Sequence, residues 1–115
     1  MRIVFYGMKR KPVVDFIEQL PLKDQAKILA CLKSIEEHGF DCPRVEFRQI
    51  SGKLWEIKIK AAGAGYRIFY VTLRRDVLVL LHAYKKQSQK APRKEIEISE
   101  KRLMEVLNDE STYFK

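Results

Sequence analysis

The spacing of apolar residues changes along the chain, and each change predicts a new element. Met1–Tyr6 reads as a strand, edge or central, closed by Gly7 and the basic cluster Lys9, Arg10 and Lys11. Pro12 suits the first turn of a helix, where its missing N–H is no loss. Val13, Phe16, Ile17 and Leu20 then follow at helical spacing, and Pro21 ends that helix or opens the next. Leu22–His38 carries Ile28, Leu29, Leu32 and Ile35 on one stripe, with Gly39 placed as a helix C-cap. So short a joint predicts an antiparallel helical hairpin.

Beyond Gly39 the period becomes two. Val45, Phe47 and Ile50 alternate with Glu46 and Arg48. After the turn Ser51-Gly52-Lys53, Trp55, Ile57 and Ile59 share one strand face, while Glu56, Lys58 and Lys60 share the other. Residues 61–65 read as a small flexible turn, 66–73 as the next strand and 74–76 as another turn. Val77–Tyr84 is apolar on both faces, which predicts a central strand. The basic segment Lys85–Lys90 leads to Pro92 and a helix over Arg93–Asn108 carrying Ile96, Leu103, Met104 and Leu107. The expected order is strand, helical hairpin, three-stranded antiparallel meander and C-terminal helix: an α+β domain with its helices on one face of the sheet. Residues 1–110 are expected to form the single domain, with 111–115 as a frayed tail.

Composition agrees with one globular unit. The 115 residues are 46% hydrophobic and 33% charged, outside the disordered range, and a chain this long can bury a sufficient core without disulfides or metal. No apolar run approaches the roughly 18–20 residues of a membrane helix. The apolar start is too short for a signal peptide, so a cytoplasmic protein is expected. Cys31 and Cys42 lack the second ligand pair a zinc site needs, and incidental or buried thiols are expected, with no metal and no cofactor. Charge alters the picture more. A formal net charge of +8 attracts polyanions, which means nucleic acid or an acidic protein partner.

The helical hairpin is expected to cover the face of Trp55, Ile57 and Ile59, leaving Lys58 and Lys60 on the opposite one. If Arg67 points the same way, three cations converge there, with Arg48 beside them and Tyr84, Lys85 and Lys86 at the rim. Such a surface holds phosphates, and Tyr84 offers a ring for base stacking. It also suits RNA cleavage, in which the 2′-hydroxyl needs a base, the phosphorane needs countercharge and the leaving 5′-oxygen needs an acid. Lysine accepts and donates protons, more readily among like charges, whereas arginine stabilises charge. Lys58, Lys60 and Arg67 are expected to be exposed. Against this stands a plain alternative, in which Lys58 and Lys60 are only the solvated side of an amphipathic strand. His82 reads first as a hydrogen-bonded core or rim residue, His38 as a charge favoured at a helix C-terminus, and Trp55, Phe69 and Tyr70 as mainly core. From residue types alone the reading ends at a basic-faced α+β binder.

Three segments in order carry it further. Leu54-Trp55-Glu56-Ile57-Lys58, Tyr66-Arg67-Ile68-Phe69-Tyr70 and Leu80-Leu81-His82-Ala83-Tyr84-Lys85-Lys86 resemble the strands of RelE/HigB-type toxins. The likeness is strongest to the phage-associated HigB-like branch. Gln87-Ser88-Gln89-Lys90-Ala91-Pro92, Glu95-Ile96 and Arg102 resemble that branch's "KKTQKTP…EI…A…R" ending, with Ser88 and Ala91 where Thr is usual. The resemblance implies the toxin of a type II toxin–antitoxin pair, a ribosome-dependent mRNA endonuclease working by metal-independent 2′-hydroxyl attack. It implies an antitoxin, often of helix-turn-helix type, and the 70S ribosome with its mRNA as partners. Carried over by position, Arg67 would hold the scissile phosphate, Lys58 and Lys60 would transfer protons or bind phosphate, and Tyr84, Lys85 and Lys86 would complete the catalytic set. Arg48, Lys53 and Lys90 are the expected RNA-binding positions around it. The chain departs from RelE at this end, which favours an arginine and a later tyrosine, and His82 is no more than a candidate. Two other classes stay open: a ParE-like inhibitor of DNA gyrase, and an inactive module that binds RNA or antitoxin.

Overall fold

The computed structural model describes residues 1–114. Its elements are β1 (Arg2–Phe5), α1 (Pro12–Glu18), α2 (Leu22–His38), β2 (Glu46–Ser51), β3 (Leu54–Ala61), β4 (Ala64–Leu73), β5 (Val77–Lys85), α3 (Arg93–Asn108) and the short α4 (Glu110–Tyr113). The five strands form one mixed sheet in the order β1-β5-β4-β3-β2. β1 runs parallel to β5, and β2 to β5 form an antiparallel meander. This is the α+β fold expected, but the meander has four strands instead of three, because Glu46–Ser51 pairs fully with β3. The turn between β3 and β4 is also tighter than its small residues suggest. Ala61 pairs with Ala64, so only Ala62 and Gly63 turn the chain, and Gly63 takes the left-handed φ of 80° such a turn requires.

The helices do not share one face. β1 and β2 lie at opposite edges, so the α1–α2 connection crosses the whole sheet and covers one side. There Val13, Ile17, Ile28, Leu32 and Ile35 pack on Ile57, Ile59, Ile68, Tyr70, Leu78 and Leu80. The α2–sheet contact is fixed by the Tyr66 hydroxyl, which donates to the buried Asp24 at 2.5 Å. α3 returns over the other side, where Leu103 and Val106 meet Leu54, Phe69, Val71, Val79 and Leu81. Two covered faces explain why β5, between them, is apolar on both. Each fully buried Leu, Ile or Phe adds about 1.5–3 kcal/mol.

Three local features differ from expectation or depend on special geometry. Over its described residues, 111–114, the tail does not fray, and Lys115 lies outside them. α4 folds back so that Tyr113 is buried, stacks on Tyr6, and receives hydrogen bonds from Arg2 on its carbonyl and from the Gly7 N–H on its hydroxyl. Gly7, at φ 117°, sits so close to the Arg10 carbonyl that a Cβ would lie 2.0 Å from its oxygen. Trp55 packs against the hairpin core but is only partly buried. With Phe40, Phe47 and Tyr70 it lines an aromatic cleft of about 650 Å³. Among the described residues, no helix is long and apolar enough to cross a membrane.

Candidate functional site

Strand register builds the site. Glu46 pairs with Lys58, Lys58 with Arg67, and Arg67 with Tyr84. One row further along, Arg48 pairs with Glu56, Glu56 with Phe69, and Phe69 with His82. Lys60 pairs with Gly65 on the other side of the first row. Directly opposed side chains share a face, so these rows form a lattice of charged and aromatic groups on the side that α3 only partly covers.

A β-bulge completes it. Phe69 pairs with His82 but Tyr70 with Leu80, so Leu81 is an extra residue in β5. Strict alternation would put His82 beside Leu78 and Leu80 on the hairpin side. The inserted residue instead brings both His82 and Tyr84 to the α3 side. There the Phe69 ring lies 5.6 Å from Tyr84 and 6.4 Å from His82, near-parallel to both. Arg102 closes the bulge by donating to the Leu81 carbonyl at 2.9 Å and to His82 Nδ1 at 3.3 Å. Arginine has only donors, so Nδ1 must accept. The proton of the neutral ring then lies on Nε2, 2.8 Å from Glu95 Oε1. Burial, partly opposed by Glu95 and reinforced by Arg102, holds the His82 pKa below its usual value.

The cations are not arranged as an exposed cluster. Arg67 is buried, with its side chain only 7% exposed. It is held by Glu56, whose Oε1 lies 3.8 Å from Arg67 Nε and 2.7 Å from Arg48 Nη2. Glu56 itself is fully buried. The Arg48 contact is near enough for an ion pair but off the line a hydrogen bond needs, so neither carboxylate oxygen has a hydrogen-bond partner among the described residues. Arg67 Nη1 donates to the Tyr66 carbonyl at 3.3 Å. Lys58 has a carboxylate, not another cation, as its nearest charge: Glu46 lies 2.7 Å from its ammonium, which keeps the Glu46 carboxyl below its usual range. Lys60 is exposed and in no ion pair among the described residues. Together Lys58, Lys60 and Arg67 line a cleft of about 390 Å³ with Arg44 and Glu46.

The remaining expected residues divide. Lys86 joins the site, its side chain lying beside Gly65 and near Arg67. Tyr84 joins it too, but as a buried ring already stacked on Phe69 instead of an open stacking platform. Burial first, and the Glu56 carboxylate second, push its hydroxyl up to about 12. Arg48 and Lys90 line a second, shallower cleft with Ile50, Ala91 and Ile96. Lys85 falls outside, since it pairs with Tyr66 and so belongs to the hairpin side. Lys53 is also outside, in the β2–β3 turn, five residues or roughly 16 Å along the strand from Lys58. Residue types did not reveal Glu56, Glu95 or Arg102. Register would have found Glu56, which lies directly opposite Arg48 on one neighbouring strand and diagonal to Arg67 on the other.

No curated protein matches this chain. A sequence profile for the family described as "Phage derived protein Gp49-like (DUF891)" matches residues 15–104, from within α1 to near the end of α3. That span includes every residue of both clefts and the whole β2–β5 lattice, and the chain belongs to this Gp49-like family of RelE-like toxins of toxin–antitoxin systems.

Proposed function

We propose that the protein is a ribosome-dependent mRNA endonuclease of the HigB-like branch, held inactive by an antitoxin of helix-turn-helix type. The observation that carries this reading is the cleft of Lys58, Lys60 and Arg67, in which a buried guanidinium faces a space bordered by two lysines. A phosphodiester fits such a space by charge and size. The reaction is attack of a ribose 2′-oxygen on the adjacent phosphorus. The P–O5′ bond breaks, leaving a 2′,3′-cyclic phosphate and a free 5′-hydroxyl. Arg67 balances charge on the phosphorane, from a desolvated setting where each such interaction is strengthened. Proton transfer from the 2′-hydroxyl and to the 5′-oxygen divides between Lys58 and Lys60, with Lys60 the accessible one. Phe69, Tyr84 and His82 form a stacked floor that keeps the Arg67 row rigid. Arg44 borders the same cleft, and Lys86, beside Gly65, adds a further phosphate contact.

The test uses purified protein, ribosomes carrying a defined mRNA, and the same mRNA alone. In-frame cuts bearing 5′-hydroxyl ends, made only with ribosomes, support the proposal. Growth inhibition by a protein that never cuts RNA would point to a protein target such as gyrase, and neither activity to a binding module.

A further inference from the structure

Between the two clefts stands a carboxylate that the proposed chemistry does not use. Glu56 is fully buried and reaches neither opening. Its two cationic neighbours face different ways. Arg67 lines the cleft with Lys58 and Lys60, while Arg48 lines the one with Lys90, Ile50 and Ile96. Both contact the same oxygen, Oε1. The Nε of Arg48 and Oε2 of Glu56 are buried without hydrogen-bond partners among the described residues, so Glu56 is not consumed by a closed local network. A buried acid in a basic surface weakens attraction for phosphate, and that cost demands a return.

We infer that Glu56 is a positioning residue whose carboxylate anchors Arg48 and Arg67 as a pair, presenting one guanidinium to each of two adjacent phosphodiester subsites along a single RNA strand. The first subsite, at Arg67, takes the phosphate that reacts. The second, at Arg48 and Lys90, takes a neighbouring phosphate, with its apolar floor of Ile50, Ala91 and Ile96 against the nucleotide. The anchoring removes the rotamer freedom that a lone arginine would keep, so the strand arrives at guanidinium groups already aimed. The kinetic consequence rests on the nuclease reading above; the anchoring does not.

The experiment compares full-length wild type with Glu56→Gln, which keeps the shape and removes the charge. Nitrogen-15 NMR of arginine Nε–H groups reads the anchor directly. Solvent exchange at Arg67 Nε should be slow in the wild type and faster in the variant. Affinity for an uncleavable 2′-O-methyl RNA oligonucleotide should rise severalfold in the variant, because an anion beside the phosphates is gone. Cleavage on programmed ribosomes should fall by about a hundredfold, as displacement of a reacting group by ~1 Å can cause. Opposite movement of binding and cleavage is the signature, since a merely structural glutamate would lower both with the folded fraction. Unchanged Arg67 Nε exchange, or binding and cleavage that fall together, overturns the inference. A wild type that binds RNA without cutting it defeats the nuclease reading alone, and the exchange and affinity results still decide the anchor. If Glu56→Gln does not fold, Arg48→Gln serves instead. Glu56 then has one partner, and Arg67 Nε exchange must slow further; no change would overturn the inference.

Discussion

Arg67→Ala should destabilise the domain before it says anything about catalysis. The substitution leaves Glu56 fully buried with Arg48 as its only close cation among the described residues, and Arg48 is itself 38% exposed. Removing one partner of a buried ion pair costs about 3–5 kcal/mol, because the remaining charge loses its compensation in a medium that solvates it poorly. Here the 2.7 Å contact with Arg48 survives, so the loss falls below that range, at about 2–3 kcal/mol. For a domain whose total stability is about 5–15 kcal/mol, that is a large fraction. It corresponds to a fall in melting temperature of roughly 8–15 °C. Urea unfolding followed by circular dichroism measures it. The diagnostic comparison is Arg67→Ala with Glu56→Gln in the same chain. With the carboxylate neutralised, the double variant should be more stable than the sum of the single losses by at least about 1 kcal/mol. Strict additivity, or an Arg67→Ala protein as stable as the wild type, would refute the claim that these charges are coupled.

Other consequences follow from the clamp, the tail and the exposed lysine. Because the folded state depresses the His82 pKa below its unfolded value near 6.5, the neutral ring contributes stability that is fully present above about pH 6.5 and is lost as pH falls through the folded pKa. The urea midpoint should therefore drop between about pH 7 and pH 5 more steeply in wild type than in His82→Gln, and identical slopes would contradict a depressed His82 pKa. Tyr113→Ala should cost about 3–5 kcal/mol by the usual scale for deleting a buried ring, whereas a frayed tail would make it silent in thermal melts. Lys60→Ala should leave stability within about 0.5 kcal/mol. It should also reduce the salt dependence of RNA binding by about one unit of log–log slope, and an unchanged slope would remove Lys60 from the phosphate contacts.

The elements were legible because their causes are local. Pro12, Pro21 and Pro92 open helices, Gly39 closes one, and the shift from helical to alternating spacing after it announces the meander. Three features were not legible because they depend on distant pairing. That helices cover both faces follows from β1 and β2 taking opposite edges, which no local pattern encodes. The bulge at Leu81 is invisible in Leu80-Leu81-His82, since any of these apolar residues suits a central strand, yet it decides which face His82 joins. Tail burial depends on Tyr113 meeting Tyr6 and Arg2, more than a hundred residues away. Alternation put Lys58 and Lys60 on one face, joined by Arg67 only if it pointed the same way, and the three do line one cleft. The burial of Arg67 and the pairing of Arg67 and Lys58 were not legible, because Glu56 and Glu46 were read as the polar side of a wet strand. Lys53 and Lys85, included for their charge, lie away from that cleft, in a turn and on the opposite strand face.

The central claim is most directly tested by mapping mRNA 5′ ends in bacteria that inducibly express wild type, Lys60→Ala or Arg67→Lys. These variants keep the fold: Lys60 is exposed and Arg67→Lys retains the buried cation beside Glu56. Growth arrest with new in-frame mRNA cuts in the wild type, and much weaker cutting in both variants at equal soluble protein, is the predicted result. Arrest without cuts, or full cutting by both variants, would contradict an RNA-cleaving site at Lys58, Lys60 and Arg67.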